Sequence, residues 1–357
     1  MTKPRIFVDI HALQILPPNC INRDDTGAPK TCVYGGTSRA RVSSQAWKRA
    51  IRQKFPTLLP EESLGVRTKK IVSMVKEEIL KLDPEMGEAK AEKAAEKALT
   101  NAGLKIKNAE VGTDALMFMS QKQAASLAEL SVKGESDKKA YKAALQASPS
   151  IDMALFGRMV ASDPSLNYDA ACQVSHAIST HETATEYDFF SAIDDLSAED
   201  TAGAGHLGTV EFSSSTLYRY ATINVMELYR SLGLEAPEAV TAFIKAFITS
   251  MPTGKINSFA NDTLPSSVYI AIRVDQPVSF AAAFEKAVPA SENGYLEKSQ
   301  SRLTEYAKKV TSSFVEEPYR AFAIGDGLDA LASSAPMNEV LEKLKQELDT
   351  LLKNGEQ

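Results

Sequence analysis

The sequence predicts an α+β fold, a split β-α-β sandwich carrying insertions. Three observations predict it. Residues 5–13 alternate as a strand and run toward a helix at 45–55; a βα alternation returns in the last third; and between them, from 61 to 146, the composition turns to Ala, Lys and Glu, which favours solvated helices.

Taken in order, the first strand is followed by a stretch at 17–36 rich in Gly, Pro and Asn, read as a long loop. Ser43 or Ser44 can cap the next helix, since nothing from 45 to 55 is Gly or Pro. At 100° per residue Trp47, Ala50 and Ile51 share one face, and Gln45, Lys48, Arg49 and Arg52 the other. One side can pack and the other can meet phosphate. The Ala/Lys/Glu stretch, with Glu88-Ala89-Lys90-Ala91-Glu92-Lys93 as its signature, is a helical insertion. An aromatic segment (Tyr187-Asp188-Phe189-Phe190), a polar stretch at 194–208 and a β-rich run at 210–225 suggest a long hairpin arm. A helix at 238–251, a strand at 268–274, a helix at 280–288, a strand at 320–324 and a helix at 337–352 complete the chain.

Composition bounds the function classes. At 357 residues, 44% hydrophobic and 24% charged, the chain is that of an ordinary globular protein. The N-terminus lacks the charge layout and cleavage site of a signal peptide, and no apolar run approaches the ~18 residues of a membrane span. A cytoplasmic protein with no membrane partner is expected. Cys20, Cys32 and Cys172 are spaced as neither a disulfide framework nor a metal knuckle. The formal net charge of -6 argues against a nucleic-acid partner, but its distribution reverses the inference. From Thr26 to Pro60 there is no acid, while Lys30, Arg39, Arg41, Lys48, Arg49, Arg52 and Lys54 are positive. An acidic protein with one basic face can hold RNA locally and stay soluble.

The helix start Ser43-Ser44-Gln45 offers amides and hydroxyls to an anion, and Lys48, Arg49 and Arg52 add charge one turn on. The alternative is a solvated helix with routine surface charge. Other motifs carry less. Gly203-Ala204-Gly205-His206-Leu207-Gly208 matches GxGxxG, but an acid-rich stretch precedes it and a strand follows, the reverse of a dinucleotide fold. Pro252-Thr253-Gly254-Lys255 lacks the glycine spacing and the Ser or Thr after Lys of a P-loop. His176 and His181 are five apart, which no zinc motif provides. His11, on the first strand, could be a general base, although strand histidines are more often structural. Asp24 and Asp25 are usual turn formers. No cofactor or metal is expected.

Asn22-Arg23-Asp24-Asp25, Tyr34-Gly35-Gly36 and Arg41-Val42-Ser43-Ser44-Gln45 before Lys48-Arg49-Ala50 closely resemble the N-terminus of the CasC subunits of type I-E Cascade, the CRISPR surveillance complex. Gly157-Arg158-Met159, the run 175–181, His206-Leu207-Gly208-Thr209-Val210-Glu211-Phe212 and Tyr218-Arg219-Tyr220-Ala221 are also similar to that family. Thr37-Ser38 departs from it, standing where the family is basic. The resemblance implies a hand-shaped subunit. Residues 1–58 and 168–357 would form an RRM/ferredoxin-like palm, 59–167 helical fingers, and 187–217 a β-hairpin thumb inserted in the palm. Such subunits stack along guide RNA with other Cascade subunits and present it to a target DNA strand, each thumb displacing a base of its neighbour's RNA. Carried over by position, Arg23, Lys30, Ser43, Gln45, Lys48, Arg49 and Arg52 would meet phosphate, and Arg41, in the same matching motif, would be RNA-binding with them. Arg158, Met159 and His206 lie in matching motifs, with Met159 against bases, and Phe189, Phe190 and Ile193 would wedge the strand. No catalytic residue is implied. Two rivals stand beside this expectation: a metal-independent endoribonuclease using His11, with Asp24 or Asp25 a lesser candidate for cleavage, and a helical adaptor without nucleic acid.

Overall fold

The computed structural model describes residues 5–108, 112–113, 116–160, 163–191 and 207–354. In chain order they form β1 (Phe7–Asn19), β2 (Thr31–Tyr34), β3 (Thr37–Val42) and α1 (Ser44–Lys54), then β4 (Gly65–Thr68), α2 (Ile71–Leu82) and α3 (Glu88–Asn101). Next come β5 (Ile106–Asn108), β6 (Gly112–Thr113), β7 (Met117–Ser120), α4 (Gln121–Val132), α5 (Lys138–Gln146) and α6 (Ile151–Phe156). The remainder is β8 (Cys172–Val174), β9 (Ala177–Ser179), β10 (Glu186–Ser191), β11 (Leu207–Asn224), α7 (Val225–Leu232), α8 (Ala236–Thr249), α9 (Ile256–Phe259), β12 (Ser267–Arg273), α10 (Leu296–Ser313), β13 (Arg320–Gly325) and α11 (Met337–Asn354). The class is α+β.

By its own contacts the chain divides into two compact units, 1–53 with 174–222 and 244–357, and 54–173 with 223–243. This division differs from the compositional boundaries chiefly by grouping 223–243 with the helical residues.

The first unit is built on a sheet of order β13-β12-β1-β11-β9-β3-β2, with β10 and β8 also paired to β11. β12 is flanked on both sides, antiparallel to β1 from Phe7↔Arg273 to Leu13↔Ser267 and to β13 from Ser267↔Gly325 to Ile272↔Arg320. All seven of its residues are buried, which is why it reads as a continuous run rather than an alternation. β1 runs beyond Leu13 through Pro17 and Pro18. Its ladder with β12 has ended by then, so no amide of that pairing is lost to proline.

The second unit has its own core. Ile71, Val75 and Ile79 of α2 recur at helical spacing and meet Ala91, Ala95 and Leu99 of α3 and Leu127 of α4. Ser120 and Gln123 close a reciprocal capping box that starts α4.

Two expectations are corrected, and one helix is added. The long loop at 17–36 is in part strand: β2 and β3 pair through a two-residue turn at Gly35 and Gly36, with φ of 60° and 80°, the type I′ geometry that glycine permits. The helix at 280–288 is one 3-10 turn, Ala281–Phe284. Arg39 donates to the carbonyls of Phe284 and Glu285, acceptors a continuing helix would need. The helix α10 went unforeseen because its buried face includes Ser299, Gln300 and Ala307, leaving a thin apolar stripe.

Candidate nucleic-acid interface

The site begins with how α1 is held. Ser43 Oγ accepts from the Ala46 amide at 3.3 Å, making Ser43 the N-cap. The Ser43 amide in turn donates to Asn22 Oδ1 at 2.8 Å, tying the helix start to the loop at 22–28. That loop is organised by Asp24, whose Oδ1 accepts from the Thr26 amide, the Thr26 hydroxyl and the Ala28 amide. These donors, Thr26 foremost, hold the Asp24 carboxyl below its ordinary range.

Inward, Trp47, Ala50 and Ile51 are buried. Trp47 packs under the guanidinium of Arg219, 3.7 Å from its ring centroid, and the same guanidinium lies 4.1 Å from the Phe247 ring. Arg219 donates to Gln14 Oε1 and the Phe247 carbonyl, both at 2.6 Å. Complete burial pulls its pKa down to about 9. No motif in the sequence marks Arg219 as the floor under α1; the pairing spans β11 and α1 and is visible only in three dimensions.

Outward, Gln45 and Arg49 are exposed, and Lys48 and Arg52 are partly so. The face predicted to meet phosphate is the solvent face. Arg23 is exposed, and Lys30 and Arg41 are partly exposed. Arg41 donates to the Thr31 carbonyl at 3.2 Å and lies 3.2 Å from His176 Nδ1. Burial first, then the charges of Arg41 and Lys30, lower the pKa of His176, so a neutral ring sits among these cations. A second group forms at an open pocket of about 670 Å³ lined by Arg23, Arg49 and Lys255.

Two of the candidate contacts are corrected. Arg158 is 5% exposed. Its guanidinium donates to the carbonyls of Phe118, Leu145 and Leu166 and to Gln123 Oε1, so it braces the second unit instead of facing solvent. Ser43, 7% exposed, uses its hydroxyl to cap. Arg39, counted with the basic segment, is also buried, bound to Thr37 Oγ1 and the carbonyls of Ser179, Phe284 and Glu285.

Met159, in the second unit, is 83% exposed. β10 pairs antiparallel with β11, Phe189 opposite Thr209 and Phe190 opposite Gly208. Adjacent strand residues point to opposite faces, so Phe189 shares a face with Tyr187 while Phe190 lies over Gly208, where a Cβ would come within 2.4 Å of its ring. Phe189 is 66% exposed and Phe190 43%. Ile193 and His206 lie outside the described residues.

His11 and His181 are held as structural groups. His11 is fully buried, bonded through Nδ1 to the Tyr218 hydroxyl at 2.9 Å and stacked 4.2 Å from Phe280. Burial, with a smaller push from Arg273, lowers its pKa to about 3. A general base at His11 would have no access to a strand on the surface, so His11 is not placed for the cleavage role considered for it. Both nitrogens of His181 are engaged, Nδ1 by the Glu182 carbonyl and Nε2 by the Thr216 amide. Among the described residues no three of His, Cys, Asp and Glu gather as metal ligands, and no helix is long and apolar enough to cross a membrane.

A family model described as CT1975-like protein matches residues 8–353. Among solved structures, a chain of a CRISPR RNA-guided surveillance complex, pre-nicking, superposes with a TM-score of 0.80 at 32% identity, covering 95% of this chain and 100% of that one. A chain of a second CRISPR RNA-guided surveillance complex gives a TM-score of 0.62 at 31% identity, covering 94% and 99%. No curated protein matches significantly.

Proposed function

The chain belongs to the CT1975-like protein family, and from that premise we propose that it is a non-catalytic RNA-binding backbone subunit of a CRISPR surveillance complex of the type I-E Cascade class. In this reading it coats guide RNA, stacks on copies of itself and on other Cascade subunits, and presents the guide for pairing with a target DNA strand in the cytoplasm. The likeness of the whole chain to chains of RNA-guided surveillance complexes supports the assembly.

The observation that carries the RNA contact is the division of α1. Its apolar side is locked down by the buried Trp47, Ala50 and Ile51, with Trp47 against Arg219, and its other side turns Gln45, Lys48, Arg49 and Arg52 outward. Backbone phosphates are the ligand such a surface fits, because it offers charge and amide donors without a pocket shaped for a base. The guide then reads sequence by pairing, and the protein has none to read. The sheet unit would serve as the RRM-like palm, the helical unit as fingers, and the β10–β11 hairpin as the thumb. Met159 and Phe189, large apolar groups left in solvent, would meet bases, since unstacked bases need apolar faces.

Charge reversal at Lys48, Arg49 and Arg52 together tests the reading. The expected outcome is a stable, folded protein that no longer co-purifies with guide RNA or joins a complex. Retention of full-length guide RNA by the triple variant would overturn the assignment.

A further inference from the structure

The sequence Pro252-Thr253-Gly254-Lys255 fails as a P-loop, yet the fold sets it against the basic segment. With the loop at 21–27 and the Arg49 side of α1 it lines one open pocket, to which Arg23, Arg49 and Lys255 each bring a positive charge. The turn is fixed in place by its glycine: a Cβ on Gly254 would stand 2.5 Å from the Ile21 carbonyl oxygen and 2.7 Å from that of Cys20, so the backbone of the turn is pressed onto the loop. Lys255 itself holds a left-handed backbone with φ of 48°, a conformation that a long unbranched side chain adopts at a cost. Its field reaches across the join. Burial raises the pKa of the Cys20 thiol, and Lys255 and Arg23 are the two cations that pull it back.

The neighbouring acids offset this charge only in part. Asp24 has its carboxylate engaged by Thr26 and Ala28, and Asp25 stands beside it in the same wall. Three cations from three separate segments converging on a polar trough, open along one side, suit an anion carried on a chain better than an enclosed nucleotide.

We infer that this turn is a further phosphodiester contact of the RNA-binding surface, with Lys255 as its cation; the inference rests on the RNA-binding reading given above. Arg49 then serves two neighbouring phosphates or bridges between them, and the strand passes from the outer face of α1 across the pocket to Lys255.

Lys255→Asn tests it, because Asn tolerates the left-handed backbone and removes the charge without disturbing the turn. Full-length protein is titrated with a fluorescently labelled, unstructured single-stranded RNA over a series of salt concentrations, beside Arg49→Gln and wild type, with melting temperatures as the folding control. The expected result is unchanged melting, affinity weaker by roughly two- to fivefold, and a log–log salt slope shallower by about 0.7, the loss of one phosphate contact. Wild-type affinity and slope in Lys255→Asn while Arg49→Gln weakens binding would overturn the inference and leave the RNA-binding reading intact. No effect in either variant would overturn both. Weaker binding with an unaltered slope would make Lys255 a positioning residue and sink the contact. Inorganic phosphate at matched ionic strength should compete no better than chloride; strong competition would mark a free-phosphate pocket and also overturn the assignment.

Discussion

At the scale of single residues, the buried polar groups of β1 set a pH dependence that belongs to the fold and not to the charged face of α1. Asp9 accepts from the Tyr220 hydroxyl at 3.0 Å and the Val278 amide at 2.8 Å, yet burial outweighs these bonds and raises its pKa from 3.8 to about 6. The folded state therefore holds this proton more tightly than the unfolded chain. As pH rises from about 4 to 6 the carboxyl ionises in place and stability is lost, by roughly 3 kcal/mol in full at about 1.36 kcal/mol per pK unit. His11, lowered from 6.5 to about 3, acts in the opposite sense, since stability falls as pH drops below 6.5 and the unfolded chain takes up the proton that the folded core refuses. Between about 4 and 6 the two slopes offset each other. Asp9→Asn keeps the shape, with Oδ1 placed to accept from Val278 and Nδ2 to donate to Tyr220. It should melt higher than wild type at pH 8, with the gain shrinking toward pH 4, where the Asp9 carboxyl is protonated in the fold. Thermal melts at both pH values check this, and a gain equal at the two would show that burial leaves the Asp9 pKa where the unfolded chain has it.

At the scale of elements, the β2–β3 hairpin shows how little freedom the basic segment has. Gly35 carries φ of 60°, and an added Cβ would stand 1.6 Å from the Glu285 carbonyl oxygen. Both the left-handed backbone and the contact with main-chain atoms oppose a side chain. Gly35→Ala should cost about 2–4 kcal/mol, read as a melting temperature lower by roughly 4–12 °C; Gly36→Ala has open space around it and should cost only the backbone strain, about 1–2 kcal/mol. Equal losses in the two variants would contradict this packing. The same hairpin marks the limit of what the sequence discloses. The faces of α1 were legible because a 3.6-residue period sorts Trp47, Ala50 and Ile51 from Lys48, Arg49 and Arg52 without help from the rest of the chain. The strand character of β12 and β13 was legible from apolar runs between turn residues. Arg39 and Arg158 were not, because a buried arginine and a solvent-facing one are the same letter. What separates them is a cage of main-chain carbonyls from distant segments: Ser179, Phe284 and Glu285 for Arg39 and Phe118, Leu145 and Leu166 for Arg158. The turn containing Lys255 stayed hidden for a related reason. Its role depends on a neighbour more than two hundred residues earlier, the loop at 20–27.

At the scale of the whole molecule, the charge balance decides how the protein can bind a polyanion at all. With 46 acids against 40 Lys and Arg, long-range attraction to RNA is weak, and the chain is repelled wherever the strand strays from the cationic surface. In the proposed reading, binding would come from short-range contacts made together, at Lys30, Arg23 and Arg41 on the loop and hairpin and at Lys48, Arg49 and Arg52 on the helix. Each phosphate so neutralised releases counterion, with a slope of about -0.7 per contact on single strands. Four simultaneous contacts give a slope near -3, so raising salt from 50 to 200 mM should weaken RNA binding roughly sixtyfold. With these groups meeting phosphate and not base edges, as proposed, oligonucleotides of equal length and different sequence should bind within about threefold of one another. Anisotropy titrations with several unstructured RNAs across that salt range measure both quantities at once. A slope near zero would place the affinity in apolar contacts such as Met159 and Phe189, and strong sequence preference would mean that bases are read by the protein directly; either result would remove the charged face of α1 from the centre of the binding surface.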